Sequence, residues 1–187
     1  GAAKEHEARR RILSESLGEQ TGRRQAPAML VAVLAAVERC VADLSLPVYI
    51  RGYAWYRLYR HWASLRFDDT PGISPGSLER RARGLFALIQ RSKTSGSDKA
   101  QGVLPVFVSK DAWVVEETWL ETGLVVWEGP LFFPREYLLP LPSRDFAGTC
   151  AKRARYSDAV GFSRALLEGL TTQDGEKLLL HEAVQFW

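Results

Sequence analysis

The sequence predicts a mainly helical α+β protein, in which helices pack around a small antiparallel β-sheet. Apolar residues recur at three- and four-residue steps in segments 27–46, 48–67 and 156–170, which is the spacing of one helix face. Two short apolar runs, 85–89 and 103–108, flank a polar segment, as the strands of a hairpin do. A chain of 187 residues, 46% of them hydrophobic, can bury one core of this kind.

Composition narrows the location and the partners of the chain. No apolar run approaches the ~20 residues that a membrane-spanning helix needs, and the first residues lack the hydrophobic core of a secretion signal. We therefore expect an intracellular protein with no membrane partner, nuclear if the organism is eukaryotic. A net charge of +3 favours a polyanionic partner. Cys40 and Cys150 are too few for a disulfide framework, so we expect reduced, buried thiols.

Residues 1–25 are predicted to form a linker helix and a linker. Segment 4–17 is highly charged, with three apolar anchors, and is typical of a connecting helix. Segment 18–26 contains two glycines and no apolar run, which is typical of a linker. The remaining residues, 26–187, are expected to belong to one domain.

Two amphipathic helices should open this domain. Pro27 suits a first helical turn, and the helix should end before Pro47. Its apolar stripe consists of Leu30, Leu34, Val37, Val41 and Leu44. The second helix should span 48–67, and its stripe consists of Tyr49, Tyr53, Tyr56, Tyr59 or Arg60, and Ala63.

One further step along the second stripe reaches Arg66, at the predicted end of the helix. A guanidinium at the buried edge of an aromatic helix is costly unless a partner answers it, and Asp69 lies one turn further on. Two interpretations stay open. Asp69 either holds a functional Arg66 in place, or the two form an ordinary ion pair that closes the helix.

The small sheet should follow the second helix. Residues 70–77 contain two prolines and two glycines, which predict a turn region. A strand over 78–89 and a returning strand over 103–108 enclose the polar segment 91–101. Pro105 indicates that the returning strand lies at the edge of the sheet.

Helical and irregular segments should alternate in the last third of the domain. Ser109 or Asp111 can cap a helix over 112–127, whose tryptophans we expect in the core. Residues 129–142 are punctuated by proline and should be extended, and a helix over 156–170 should follow. Basic residues precede that helix, near the end that attracts anions; they are Lys152, Arg153 and Arg155.

The pattern Leu65-Arg66-Phe67-Asp68-Asp69, followed by Lys93-Thr94, resembles the first half of the catalytic domain of tyrosine recombinases. The resemblance is closest to the recombinases carried by retroelements in eukaryotic genomes. In that family an arginine closes a helix in a Leu-Arg-x-x-Glu/Asp pattern. A small β-sheet then presents a catalytic lysine, often before threonine.

The resemblance implies phosphoryl transfer in DNA, in which a tyrosine hydroxyl attacks the scissile phosphate. It implies that Arg66 stabilises the charge on the phosphate, that Asp69 orients Arg66, and that Lys93 is the general acid, with Lys99 as the competing candidate. It requires no cofactor and no metal. DNA is the expected partner, with a homo-oligomer on DNA as one possible assembly. The predicted DNA-contacting residues are Arg57, Arg60, Arg91, Lys99, Lys152 and Arg153.

Two departures from the family bear on activity. The family requires a later His-x-x-Arg pair, but His181 is followed by Val184 where the arginine should stand. It also requires a later nucleophilic tyrosine, and no tyrosine follows Tyr156. We therefore expect a DNA-binding part of a recombinase, truncated at its C-terminus and inactive as given.

Two other functions are compatible with the sequence. The chain could be a DNA-binding module without enzymatic activity, built on a recombinase-derived scaffold. It could also be a metal-dependent nuclease with Asp68, Asp69 and Glu79 near Lys93.

Overall fold

The computed structural model describes residues 31–90 and 103–170, which contain four α-helices and five β-strands. In chain order the elements are α1 (Val31–Ala42), α2 (Val48–Trp62), β1 (Glu79–Arg81), β2 (Gly84–Ile89), β3 (Leu104–Ser109), α3 (Trp119–Glu128), β4 (Pro140–Pro142), β5 (Thr149–Arg153) and α4 (Tyr156–Glu168). Two short 3₁₀ helices, Phe67–Gly72 and Pro75–Ser77, lie between α2 and β1. This arrangement confirms the predicted α+β class. The predicted linker helix lies outside the described residues.

Helix α2 is the centre of the core. Every residue from 52 to 59 is buried, because α1, α3 and α4 all pack against it. The crossing with α3 is close, since a Cβ atom at Gly123 would overlap the indole ring of Trp55. Two indole N–H groups fix this crossing: Trp55 donates to the carbonyl of Leu120 (2.8 Å), and Trp127 donates to the carbonyl of Gly52 (3.0 Å).

The predicted apolar stripes agree with the core. Of the α1 stripe, Leu34, Val37 and Val41 are buried, and Leu30 lies outside the described residues. Leu44 was expected to continue the stripe but is exposed, because α1 ends at Ala42. All four tyrosines of the α2 stripe are buried, and they are Tyr49, Tyr53, Tyr56 and Tyr59.

The first sheet has the strand order β1-β2-β3, and both pairings are antiparallel. Alternate residues of β2 point into the core, namely Leu85, Ala87 and Ile89. Pro105 lies on the edge strand β3 opposite Leu88, as predicted. The single strand predicted over 78–89 is instead a hairpin, β1 and β2, which turns just before Gly84.

The end of α2 differs from the prediction. The helix was expected to reach residue 67 but ends at Trp62, and Ser64 has the left-handed φ of 54°. The chain therefore turns away from the helix axis before Arg66. Arg66 precedes the first residue of a 3₁₀ helix and does not continue the tyrosine stripe.

Helix α3 begins at Trp119 rather than near Ala112, because a buried carboxylate holds the preceding residues in another conformation. Glu38 of α1 has no exposed surface. Its two oxygens accept hydrogen bonds from the backbone N–H groups of Val114, Val115 and Glu116, with N···O distances of 2.8 to 3.0 Å. These three donors are thus used by a side chain from a distant part of the sequence.

Residues 129–139 were expected to be extended but form an irregular segment, with a turn at 129–131 and bends at 136–138, and a buried arginine orders them. Arg135 lies against the rings of Trp127 and Phe133. It donates hydrogen bonds to backbone carbonyls of the same segment, which belong to Leu131, Phe133, Tyr137 and Leu138. The short hairpin of β4 and β5 follows and was not predicted.

Cys40 is half-buried and Cys150 is exposed, so the expectation of two buried thiols is wrong for Cys150. Within the described part of the chain, no helix is long and apolar enough to cross a bilayer.

Candidate phosphate-binding cleft

Three of the arginines singled out in the sequence line one cleft of about 750 Å³. Arg57 and Arg60 lie on successive turns of α2, Arg66 lies just beyond the helix, and α4 forms the opposite wall. We call this space the arginine cleft. Its lining consists of Arg57, Arg60, Leu65, Arg66, Phe67, Asp68, Tyr156, Ala159, Val160 and Ser163.

Arg57 lies at the deep end of the arginine cleft. It is only 6% exposed, so it cannot be one of the surface contacts to DNA that the sequence suggested. Its Nη1 atom donates to Ser163 Oγ at 3.1 Å, and the hydroxyl of Tyr53 lies 2.7 Å from the same oxygen. Burial lowers the pKa of Arg57 to about 10, so the guanidinium remains charged at neutral pH.

Arg60 is half-buried and lies between aromatic rings. Its guanidinium carbon is 5.5 Å from the ring centre of Tyr56 and 5.8 Å from that of Phe67. The Nε atom is buried and, among the described residues, meets no hydrogen-bond acceptor. Cation–π contacts therefore position Arg60.

Arg66 is the exposed arginine of the cleft. Asp69 accepts a hydrogen bond from the backbone N–H of Arg66 at 2.9 Å. The predicted contact between these two residues thus exists, but it runs through the backbone and fixes the start of the 3₁₀ helix. It does not neutralise the guanidinium.

The cleft has the electrostatics of an anion site. Three arginines against one aspartate leave a formal charge of +2 on the lining residues. The first turn of α4 begins at Tyr156 and adjoins the same wall, and there Asp158 accepts the backbone N–H of Arg155 at 2.8 Å. Arginine donors under partial desolvation bind phosphate oxygens strongly, and such a cleft can hold a phosphate group.

The two other predicted DNA contacts that the structure describes do not join this cleft. Lys152 and Arg153 are exposed on β5 and are not part of the lining. Arg91, Lys93 and Lys99 lie outside the described residues. The last residue before them, Gln90, donates its backbone N–H to the carbonyl of Gly72 at 2.9 Å, so β2 ends beside the 3₁₀ helix that follows Arg66. Whether Arg66 and Lys93 converge stays a prediction.

The nuclease hypothesis required a cluster of carboxylates. In residues 31–90 and 103–170, no three His, Cys, Asp or Glu side chains are grouped so that they could hold a metal ion. Glu79 instead pairs with Arg81 at 2.8 Å. Asp68, Asp69 and Glu79 therefore do not form the metal site suggested by the sequence.

The sequence did not predict that α4 would form one side of the cleft. Tyr156 and Ser163 are about 100 residues from Arg57 along the chain, so no local pattern connects them. One weak signal was present. Helix α4 contains large apolar residues, but the small residues Ala159 and Ser163 lie together on one of its faces. Both are buried against α2.

No model of a known protein family matches the chain, and neither a curated protein nor a solved structure is significantly similar to it.

Proposed function

We propose that this chain binds DNA phosphate in the arginine cleft and is the DNA-binding part of a tyrosine-recombinase-like catalytic domain. The observation that carries the proposal is that Arg60 and Arg66 line one cleft, with the buried Arg57 at its deep end. The three residues come from the helix and the motif that the recombinase resemblance singled out.

The chemistry of the arginines supports phosphate as the ligand. A guanidinium offers a planar pair of donors that matches two phosphate oxygens. Arg60 is half-buried, where such contacts are stronger than on an open surface. Arg66 is exposed and can meet the incoming backbone first.

In a recombinase reaction these residues would have defined roles. Arg66 would stabilise the charge that develops on the phosphate oxygens, a contribution typically on the order of 3 kcal/mol for one such donor. Lys93 would protonate the departing oxygen. The motif for the second arginine and the nucleophile are missing from this sequence, so we propose binding without strand cleavage for the chain as given.

A DNA-binding module without a special phosphate site is the second candidate. Several exposed arginines and lysines outside the cleft favour it, among them Arg83, Arg144 and Lys152. On that account all exposed arginines contribute alike. In our proposal, Arg66 contributes more to DNA binding than the other exposed arginines do.

Fluorescence anisotropy with a labelled duplex, measured over a series of salt concentrations, tests the proposal. The informative pair is Arg66→Ala and the control Arg83→Ala, which removes the same charge from the exposed β1–β2 turn outside the cleft. We expect Arg66→Ala to weaken binding more than the control and to reduce the slope of log K against log salt by about 0.9, the value for one lost phosphate contact.

Two results would contradict the proposal. Equal losses for the two variants would favour the module with dispersed contacts. Absence of measurable binding by the native chain at low salt would remove DNA as the partner. Circular dichroism of both variants checks that each remains folded.

A further inference from the structure

We infer that the arginine cleft receives an unpaired nucleotide, whose phosphate lies on the arginines and whose base stacks on the ring of Tyr156. This inference rests on the proposed function and adds the form of nucleic acid that the cleft selects. It is argued from the aromatic residues of the cleft, whereas the proposed function is argued from the arginines.

Tyr156 is a large aromatic side chain left open at the wall of a basic cleft. It is the first residue of α4, lines the cleft and is 56% exposed, whereas the tyrosines of α2 are fully buried. Phe67 meets it in an edge-to-face contact, with ring centres 5.5 Å apart and an interplanar angle of 71°. This contact holds the Tyr156 ring in place while more than half of the residue remains accessible.

The phosphate donors and this ring lie within the reach of one nucleotide. Arg60 lies over Phe67 at 5.8 Å, and Phe67 contacts Tyr156. One ring therefore separates the guanidinium from the exposed tyrosine. A phosphate bound by Arg60 and Arg66 would bring an attached base to the same wall of the cleft.

The base that stacks there has to be unpaired. In a duplex the faces of the bases are covered by their neighbours, so a base must leave the stack before a side chain can lie on its face. Proteins that bind single strands combine a positively charged groove with aromatic side chains, and the arginine cleft has both features. A cleft of about 750 Å³ has the size of a small-molecule site, which a single nucleotide can fill.

Binding of a labelled single-stranded oligonucleotide and of the matched duplex tests the inference. Tyr156→Leu keeps apolar bulk against Phe67 but removes the aromatic face, and Tyr156→Phe keeps the face and removes the hydroxyl. We expect the leucine variant to lose roughly tenfold in single-strand affinity, with less effect on the duplex and an unchanged salt slope. The phenylalanine variant should recover most of that loss.

Phe132→Leu is the matched control, because Phe132 is also 56% exposed and is not part of the cleft. It should leave single-strand affinity unchanged. Thermal unfolding of each variant confirms that the fold is retained.

The outcomes separate the inference from the proposed function. If Arg66→Ala lowers the salt slope but Tyr156→Leu has no effect, the phosphate site stands and the stacking inference is wrong. If the phenylalanine variant binds as weakly as the leucine variant, the hydroxyl matters rather than the ring, and the inference is again wrong. If neither arginine nor tyrosine variants change binding, both proposals fall.

Discussion

Replacement of Glu38 by alanine should strongly destabilise the protein. The buried carboxylate is the acceptor for three backbone N–H groups, and a buried donor left without an acceptor costs about 1–3 kcal/mol. Val115 is exposed and Val114 and Glu116 are half-buried, so water can reach some of these donors after the substitution. We therefore expect a loss of about 3–5 kcal/mol in the free energy of unfolding, near the lower part of the summed range.

Glu38→Gln separates the charge from the shape of this interaction. An amide oxygen can accept two of the three hydrogen bonds, and the amide nitrogen can accept none. The expected loss is therefore smaller, about 1–3 kcal/mol. Urea unfolding followed by circular dichroism gives both values through linear extrapolation.

Glu117→Ala is the control, since Glu117 is exposed in the same segment. It should change the free energy of unfolding by no more than about 0.5 kcal/mol. A loss below about 1 kcal/mol for Glu38→Ala would show that the carboxylate does not hold the segment, and the explanation for the late start of α3 would be wrong.

Four further predictions concern packing, thiol reactivity, the pH dependence of stability and activity. Gly123→Ala should lower the free energy of unfolding by about 1–3 kcal/mol, because its methyl group would overlap Trp55. Gly161→Ala, on the open face of α4, is the control and should not destabilise the protein. Similar thermal melting curves for both variants would contradict the close α2–α3 crossing. Iodoacetamide at pH 8 should modify the exposed Cys150 faster than Cys40, because burial raises the pKa of the Cys40 thiol to about 11 and keeps it protonated. Mass spectrometry measures both rates, and equal rates would refute the prediction. The same raised pKa should make the native state less stable as the pH rises from about 9 to about 11, since the unfolded thiol ionises first. The chain should form no covalent tyrosine adduct on a nicked suicide substrate, because no tyrosine follows Tyr156 in the sequence; a band of protein covalently attached to DNA would disprove it.

Local periodicity predicted the elements whose burial is set by their own spacing. The tyrosines of α2 recur at helical steps and are all buried, and the apolar run 85–89, predicted to be part of a strand, lies in β2. Pro105 identified the edge strand because its missing N–H excludes it from a central one.

The predictions failed where the neighbouring sequence carries no mark of the local structure. Nothing near residue 112 indicates that Glu38 will bind the backbone N–H groups of residues 114–116. No glycine or proline between 62 and 66 marks the end of α2, and Ser64 adopts the left-handed conformation instead. The prediction that Arg66 continues the tyrosine stripe failed for this reason.

The candidate site was predicted in part. The sequence identified Arg57, Arg60 and Arg66 as basic residues of interest, but it placed Arg57 on the surface. The opposite wall, with Tyr156 and Ser163, is formed by packing of α4 on α2 across about 100 residues. Such a juxtaposition follows from tertiary structure and leaves no pattern in the local sequence.

A double-mutant cycle between Arg60 and Arg66 tests most directly whether the arginines act as one phosphate site. The affinities for a labelled oligonucleotide are measured for the native chain, Arg60→Gln, Arg66→Ala and the double variant, each shown to be folded. If both guanidinium groups hold the same phosphate, the double variant should lose less than the sum of the single losses, by about 0.5 kcal/mol or more. Losses that add to within about 0.3 kcal/mol would mean that the two arginines bind independently, which would contradict a shared site.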